Sequence, residues 1–358
     1  KRHPDDSEAQ VFYALALIST ASPTDRTHAN QKRAADILEP LYARQPQHPG
    51  IAHYLIHAYD SAELAPRGLE AARAYSKIAP SAPHALHMPS HIFTRLGYWD
   101  ESIASNRAAR AAAGAEGDIG EALHAMDYLT YAYLQRGQDA DAERIVSEAR
   151  GMKSLAAGKF KIGYAANAMP VRLAIERRRW DDATKLEPLP DSEPHVAAIV
   201  YWARAVGHAR GGRPDDASAD IAKIDESLVA LRSRNDAYWT TQTEVLASSA
   251  RAWQLAASGK HDEAIARLRA AADQEDAIEK RPVTPGPIVP AREQLGDLLL
   301  ERGRADDALR EFRIALAESP NRRGALTGAA RAAELAGDAK TANALRKQLA
   351  GGSPDTKG

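Results

Sequence analysis

Three groups of histidine and aspartate residues between His53 and Asp127 have the spacing of side chains on one face of a helix. Residues three, four or seven positions apart on a helix share a face. The groups are His53, His57 and Asp60; His84, His87 and His91; and His124 with Asp127. They contain six of the chain's twelve histidines. The sequence therefore predicts a site built from imidazole and carboxylate groups.

These donors, without any thiolate, indicate a transition-metal site. The chain has no cysteine, which excludes thiolate zinc sites and disulfides. Two histidines four residues apart on a helix can bind one ion, and imidazole with carboxylate suits zinc, copper, iron, nickel or manganese. The predicted ligands are His53, His57, His87, His91 and His124, with His84, Asp60 and Asp127 as weaker candidates. One ion takes roughly four to six donors, so either two ions bind or some residues orient the ligands.

A metal would not by itself imply catalysis. The string H-Y-L-I-H has Tyr54 where the metalloprotease motif H-E-x-x-H has glutamate. Asp60 and Asp127 are the catalytic candidates, because a carboxylate beside a Lewis-acidic ion can accept a proton. The sequence contains no phosphate-binding loop, dinucleotide glycine pattern or nucleophile elbow, and it identifies no organic substrate.

Three interpretations without a metal also fit these residues. The histidines could be hydrogen-bonded core residues on alanine-rich helices. They could form a pH-sensitive packing network. They could also line a polar groove that binds a peptide, whose aromatic anchors would be Tyr54, Tyr59, Tyr128, Tyr131 and Tyr133.

Composition favours helices and excludes two classes of partner. Alanine and leucine dominate, while phenylalanine totals four. The formal net charge is −1, so bulk electrostatics predicts no binding to nucleic acid or to an anionic membrane surface. No apolar run reaches the roughly 18–20 residues of a membrane span.

A repeated pattern marks the corners of predicted helix hairpins. A glycine is followed five positions later by a small residue, which lets the second helix of a hairpin pack closely against the first. The copies are Gly97 with Ser102, Gly137 with Ala142, Gly212 with Ala217, Gly259 with Ala264, Gly303 with Ala308, and Gly337 with Ala342. A degenerate copy, R-R-W-D-D-A, has Arg178 at its corner and ends at Ala183.

The stretch Arg292–Pro320 resembles a tetratricopeptide repeat. The residues at that repeat's signature spacings are Leu295, Gly296, Ala308, Phe312, Ala315 and Pro320. The resemblance implies an all-α fold, a right-handed superhelical solenoid of antiparallel helix hairpins. It also implies a protein or peptide partner on the concave face, which the first helix of each hairpin lines.

The first half of the chain resembles a narrower group, a bacterial tetratricopeptide-repeat family that carries H-Y-x-I-H-A and H-M-P-S-H-I motifs. The matching strings are H-Y-L-I-H-A-Y-D and H-A-L-H-M-P-S-H-I, and the resemblance covers about residues 4–150. The family's next motif is H-N-x-H. In this chain the corresponding stretch is H-A-M-D, which ends in Asp127 where the family has its second histidine. The resemblance implies a bacterial protein of the cytoplasm or periplasm. It also implies that further repeats precede Lys1, as in a processed or truncated product.

The predicted organisation has four parts. Residues 1–152 form hairpins with the histidine-rich concave patch, 153–280 degenerate hairpins, 281–350 C-terminal hairpins, and 351–358 a flexible tail. The predicted helix pairs are 8–28 with 29–45, 50–62 with 66–78, 84–96 with 99–113, 119–136 with 138–152, 160–178 with 180–187, 194–210 with 213–231, 237–258 with 260–280, 287–302 with 304–318, and 322–336 with 338–349.

Proline marks two predicted irregularities. Lys280–Pro290 contains four prolines and is predicted to be a long connection or a hinge. Around Pro89 two arrangements are possible: the proline kinks a single helix over 84–96, or the helix begins at Pro89 and residues 84–88 form the loop before it.

The three histidine groups fall on first helices of consecutive hairpins, so they should converge on one concave patch. The leading hypothesis is a partner-binding scaffold with a metal site, and the alternative is a metalloenzyme using the same residues.

Overall fold

The computed structural model describes residues 6–153 and 155–351, and within them the regular structure is entirely helical. The α-helices are α1 Ser7–Ser19, α2 Ala29–Arg44, α3 Pro49–Ala58, α4 Leu69–Ile78, α5 Pro83–His87, α6 Pro89–Leu96, α7 Trp99–Glu116, α8 Ile119–Arg136, α9 Asp139–Gly151, α10 Phe160–Glu176, α11 Trp180–Ala183, α12 Pro194–Arg210, α13 Ala217–Ser233, α14 Ala237–Ala257, α15 His261–Asp276, α16 Ala291–Glu301, α17 Ala305–Glu318, α18 Arg323–Leu335 and α19 Ala339–Gly351. A short 3₁₀ helix, Ala65–Gly68, precedes α4. No helix in this described part is long and apolar enough to cross a membrane.

Consecutive helices pack in pairs, and the pairs stack side by side. Each first helix packs on the helix that follows it, as α8 does on α9 and α12 on α13. First helices of neighbouring pairs also pack together, in the series α8, α10, α12 and α14. Short connections make each pair antiparallel. The prediction of an all-α solenoid of antiparallel helix hairpins is confirmed.

The predicted corners have the backbone conformation that the pattern requires. All six corner glycines have positive φ, between 69° and 81°. Arg178, the corner of the degenerate copy, also has positive φ, at 53°. A helix that ends in this left-handed conformation turns the chain back on itself. The repeated pattern therefore located the corners even where the glycine is missing.

Several helices are shorter than predicted. α1 ends at Ser19, not near residue 28, because the Thr20 hydroxyl bonds to the Ala16 and Leu17 carbonyls and Pro23 follows. α11 has four residues rather than eight. α16 begins at Ala291, four residues later than predicted, since Pro290 precedes it. The predicted tail lies outside the described residues apart from Gly351.

The structure around Pro89 combines both predicted arrangements. α5 ends at His87 and α6 begins at Pro89, with Met88 between them in helical conformation (φ −51°, ψ −39°). The Met88 N–H still bonds to the His84 carbonyl, and His91 N–H bonds to the Met88 carbonyl. Residues 84–88 are therefore a short helix rather than a loop, and the axis is interrupted where the proline removes a donor.

The segment Glu279–Pro290, here called the crossing segment, is a long connection between α15 and α16. Side chains of first helices bond to it along its length. Tyr128 OH donates to the Pro282 carbonyl at 2.9 Å, and Arg172 donates to the carbonyls of Gly286 and Pro287 at 3.0 and 3.1 Å. The crossing segment thus lies along the inner side of the helix stack.

Hairpins in the first third of the chain also meet the C-terminal hairpins. Trp99 Nε1 donates to the Asn321 carbonyl at 3.0 Å, and Asn321 Nδ2 donates to the Gly97 carbonyl at 3.3 Å. Arg26 forms ion pairs with Glu279 and Glu318 at 2.8 and 3.0 Å. The solenoid therefore curves until hairpins far apart in sequence touch.

This contact predicts different effects for two corner glycines. A Cβ on Gly97 would lie 2.1 Å from the Pro320 carbonyl oxygen, whereas a Cβ on Gly303 would meet nothing within 4 Å. Both sites have positive φ, so Gly303→Ala should lose about 1 kcal/mol of unfolding free energy. Gly97→Ala should lose about 2 kcal/mol more, because backbone must move. Urea denaturation measures both, and equal losses would show that the turn at Gly97 does not closely touch the backbone at Pro320.

Candidate metal centre

Three half-buried histidines form what we call the outer triad: His53 and His57 on α3, and His84 on α5. His53 Nε2 lies 3.1 Å from His57 Nε2 and 3.2 Å from His84 Nε2. One helical turn separates His53 from His57, and the next hairpin brings His84 beside them. The three ring nitrogens thus converge on one point.

Three buried histidines form the inner triad: His87 on α5, His91 on α6 and His124 on α8. Their exposures are 1%, 2% and 4%. His87 Nε2 lies 3.0 Å from His91 Nε2, and the His87 and His124 ring centroids are 4.3 Å apart. A ligand nitrogen from each ring lies within 4.8 Å of the other two.

The two triads adjoin, and this changes the predicted grouping. Ring centroids are 5.9 Å apart for His57 and His91, and 6.3 Å apart for His84 and His87. The prediction that His84, His87 and His91 form one stripe is wrong in its grouping. Seven residues span about 10 Å along a helix, too far for one ion. His84 therefore groups with His53 and His57 of α3, while His87 and His91 group with His124 of α8.

Two side chains fix the orientation of the inner rings. Asn106 Nδ2 donates to the Ser102 carbonyl at 2.8 Å, which leaves Asn106 Oδ1 to accept from His87 Nδ1 at 2.7 Å. Asp60 Oδ2 accepts from His91 Nδ1 at 2.9 Å. Each Nδ1 therefore carries the ring hydrogen, and in the neutral rings each Nε2 presents a lone pair.

Two lone pairs 3.0 Å apart repel each other unless a cation lies between them. A shared proton is disfavoured, because burial lowers the pKa of His87 and of His91. Two nitrogens on a tetrahedral ion stand roughly 3.3 Å apart, given metal–nitrogen bonds of about 2.0–2.1 Å. The spacing and the donor type therefore fit a transition-metal ion, and each triad could hold one.

The outer triad has similar electrostatics. Burial, together with the neighbouring imidazoles, lowers the pKa of His53 to about 4 and that of His57 to about 3. His84 Nδ1 lies 3.5 Å from a Glu121 carboxylate oxygen, and Lys161 pairs with the same carboxylate. Neutral imidazole is the form that binds a metal.

Asp60, predicted as a ligand or base, lies between cations beside the inner triad. Its carboxylate accepts from Arg95 Nε at 2.9 Å and from Lys280 Nζ at 3.2 Å, besides His91. Burial acts to raise the pKa of Asp60, but Lys280, Arg95 and His91 hold it well below its usual range. Asp60 is therefore a permanent carboxylate that orients His91.

Asp127, the other predicted base, forms an ion pair with Arg172 of α10. Arg172 Nε donates to Asp127 Oδ1 at 2.9 Å, and both side chains are buried. Burial raises the pKa of Asp127, and the opposing effect of Arg172 is smaller. Asp127 Oδ2 has no hydrogen-bond partner in the described part of the chain. Neither aspartate belongs to a triad.

Two of the five tyrosines predicted as peptide anchors, Tyr128 and Tyr131, are covered by other parts of the chain. Tyr128, one of the predicted anchors, is buried, and its ring centroid lies 4.7–5.4 Å from those of the three inner histidines. Its hydroxyl donates to the crossing segment. Tyr131 is also buried, with its ring against Trp99.

The residues that position the rings do not follow from the histidine spacing. These residues are the buried Asn106, Arg95 and Arg172 and the partly buried Lys280. They lie up to 220 residues from their partners in sequence. Arg95 and Asn106 lie in the stretch that continues the H-M-P-S-H-I motif, I-F-T-R-L-G-Y-W-D-E-S-I-A-S-N, and that stretch is their sequence signal. No sequence signal marks Lys280 or Arg172.

Comparison with known proteins adds no functional assignment. No protein-family model matches the sequence, and no curated protein matches it. Similar solved structures include a human IFIT1 dimer with m7Gppp-AAAA, at 12% identity and TM-score 0.37, covering 97% of this chain and 72% of that one. The P58(IPK) TPR domain has 11% identity and TM-score 0.28, covering 98% and 94%. The APC/C hetero-tetramer Cut9-Hcn1 has 11% identity and TM-score 0.26, covering 98% and 80%.

Proposed function

We propose that the six histidines bind two divalent transition-metal ions, one in each triad. The observation that carries this proposal is the pair of facing nitrogens, His87 Nε2 and His91 Nε2, whose rings are fixed from behind by Asn106 and Asp60. Such fixed rings are typical of metal-binding histidines. The imidazole donors suit zinc, copper, iron, nickel or manganese.

The two triads support different roles. The inner triad is buried beneath Tyr128, so its ion would join α5, α6 and α8 and stabilise the fold. The outer triad is half-buried, and three histidine ligands leave a position open to a further ligand. A bound ion there would supply Lewis acidity or redox chemistry.

The carboxylates of Asp60 and Asp127 are better suited to orienting neighbouring side chains than to transferring protons. Asp60 receives hydrogen bonds from Arg95, Lys280 and His91, which leaves it a weak base. Asp127 is engaged by Arg172. The metalloenzyme alternative therefore lacks a free carboxylate base among the two residues predicted for it, and the metal-binding scaffold is the better supported function.

The family and partner predictions remain part of this proposal. The two strings H-Y-L-I-H-A and H-M-P-S-H-I supply four of the six histidines, which supports a bacterial family defined by this centre. A protein or peptide partner is still expected from the tetratricopeptide-like hairpins. Because the crossing segment fills the inner side near the triads, that partner should bind elsewhere on the solenoid.

Elemental analysis of the full chain, purified without a histidine tag or chelator, tests the proposal. The parent should hold two equivalents of metal, while His57→Ala and His124→Ala should each hold one. His261→Ala is the matched control, because His261 lies on α15 outside both triads, and it should hold two. A parent that takes up no zinc, copper, iron, nickel or manganese on titration would refute the proposal.

A further inference from the structure

A cavity of about 480 Å³ lies apart from both triads, and none of the six triad histidines lines it. It is bounded by the last turns of α8, α10 and α16 and by the first turns of α18. A cavity of this size can enclose a small organic molecule. The lining residues that matter here are Leu134, Arg177, Arg178, Leu300, Arg323 and Arg331.

Every carboxylate that lines this cavity is already paired with an arginine. The pairs are Asp139 with Arg177 at 3.1 Å, Glu176 with Arg322 at 2.6 Å, Asp297 with Arg178 at 2.9 Å, and Glu301 with Arg210 at 2.6 Å. These four pairs use all the negative charges of the lining, so no carboxylate there is left to balance a further cation.

Two arginines of α18, Arg323 and Arg331, are the remaining cations of the lining. Both residues are exposed, and among the described residues neither forms an ion pair. The cavity therefore carries two positive charges that no group of the lining balances. Unbalanced charges of one sign in a concave site raise the local concentration of ions of opposite sign.

The position of each arginine follows from the packing of α18. The guanidinium of Arg323 lies against the corner after α8, where a Cβ on Gly137 would collide with Arg323 Nη1. That corner lies between Leu134 and Asp139, which both line the cavity, so the guanidinium is held at its wall. Arg331 follows eight residues later, which is about 12 Å along a helix. The two arginines therefore lie at opposite ends of the wall that α18 forms.

We propose that this cavity binds a small organic dianion with one anionic group at each end of an apolar chain. One anionic group contacts Arg323 and the other contacts Arg331, while Leu134 and Leu300 contact the chain between them. A guanidinium binds a carboxylate or a phosphate through two parallel hydrogen bonds, so either group fits. This inference goes beyond the proposed function, because it needs no metal ion and shares no residue with the triads.

Isothermal titration calorimetry of the full chain tests the inference with suberate, an alkane chain with a carboxylate at each end. Octanoate, which has the same chain length and one carboxylate, is the comparison ligand. Suberate should bind at least about tenfold more tightly, because it alone can form charge-assisted hydrogen bonds to both arginines. Arg323→Gln and Arg331→Gln should each weaken suberate binding about tenfold or more and remove its advantage over octanoate.

A matched pair of double variants separates the site from the net charge of the protein. Arg323→Gln/Arg331→Gln should abolish saturable suberate binding. Arg33→Gln/Arg313→Gln removes the same charge from exposed positions on α2 and α17 that do not line the cavity, and it should bind suberate like the parent. All four residues are exposed, so each double variant should melt near the temperature of the parent.

Three results would overturn the inference. One is a parent that does not bind suberate, or binds it no more tightly than octanoate. Another is an equal loss of binding in the two double variants, which would show that net charge alone attracts the ligand. The third is suberate binding that persists in Arg323→Gln/Arg331→Gln, since the ligand would then bind elsewhere, as at a metal ion.

Discussion

Chelator should remove the two ions from the metal-loaded protein in two separate phases, and the second phase should account for most of the loss in melting temperature. The outer triad is half-buried and borders a cavity, so a chelator can reach its ion. The inner triad is buried, and Tyr128 and the crossing segment cover it. Release of the inner ion therefore requires the fold to open locally.

The stability effect follows from binding to the folded state alone. An ion present at a thousandfold excess over its dissociation constant stabilises the folded protein by about 4 kcal/mol. For a chain of this length, a loss of that size should lower the melting temperature by roughly 5–10 °C. Removing the ion also restores the repulsion between His87 Nε2 and His91 Nε2, 3.0 Å apart, which adds to the loss.

Stopped-flow absorbance with a coloured chelator measures the phases, and calorimetry measures the melting temperature. Two single-site variants act as mutual controls. His124→Ala should show only the fast phase and should melt near the temperature of the fully chelated parent. His57→Ala should show only the slow phase and should melt close to the loaded parent. A single phase in the parent, with no change in melting temperature, would contradict the assignment of an inner and an outer ion.

Local patterns predicted the fold and part of each triad. The corner glycines and Arg178 predicted where helices reverse, because positive φ is a property of single positions. The pairs His53 with His57 and His87 with His91 follow from helix geometry alone. For the same reason the sequence predicted that these four residues face one another in pairs.

The assignment of the remaining rings could not be predicted from spacing. His84 lies beside the α3 histidines, and His124 lies beside the histidines of α5 and α6, because of the way the hairpins pack against one another. Hairpin packing is a tertiary property that residue spacing does not contain. Asp60 was expected on the stripe of His53 and His57. It instead turns towards His91, because α3 ends at Ala58 and Arg95 and Lys280 approach from distant parts of the chain. Such buried charge networks have no local sequence signature.

Arg172→Met should be among the most destabilising single substitutions in the chain, with a loss of about 3–5 kcal/mol in unfolding free energy. Arg172 is fully buried, pairs with Asp127, and donates to the carbonyls of Gly286 and Pro287. Methionine fills a similar volume but donates no hydrogen bonds. It would leave the Asp127 charge and the two carbonyls buried without partners.

The loss should increase with pH. Burial already raises the pKa of Asp127 in the folded protein, and removing Arg172 leaves burial unopposed. A carboxyl whose folded pKa lies above its unfolded value binds more protons when folded, so stability falls as pH rises between the two values. Urea denaturation of Arg172→Met should therefore show a smaller loss at pH 5 than at pH 8, relative to the parent.

The double variant Arg172→Met/Asp127→Leu separates the charge from the crossing segment. It removes the unpaired carboxylate, so it should recover most of the lost stability and should lose the added pH dependence. The hydrogen bonds to Gly286 and Pro287 stay broken in both variants, and any loss that remains in the double variant measures how much they hold the crossing segment.

Since Asp127 lies one turn after His124, metal content is the second readout. We expect two equivalents in the double variant, because the inner triad is held by Asn106 and Asp60 rather than by Arg172. Loss of the inner ion there would mean that the pair of Arg172 and Asp127 positions His124.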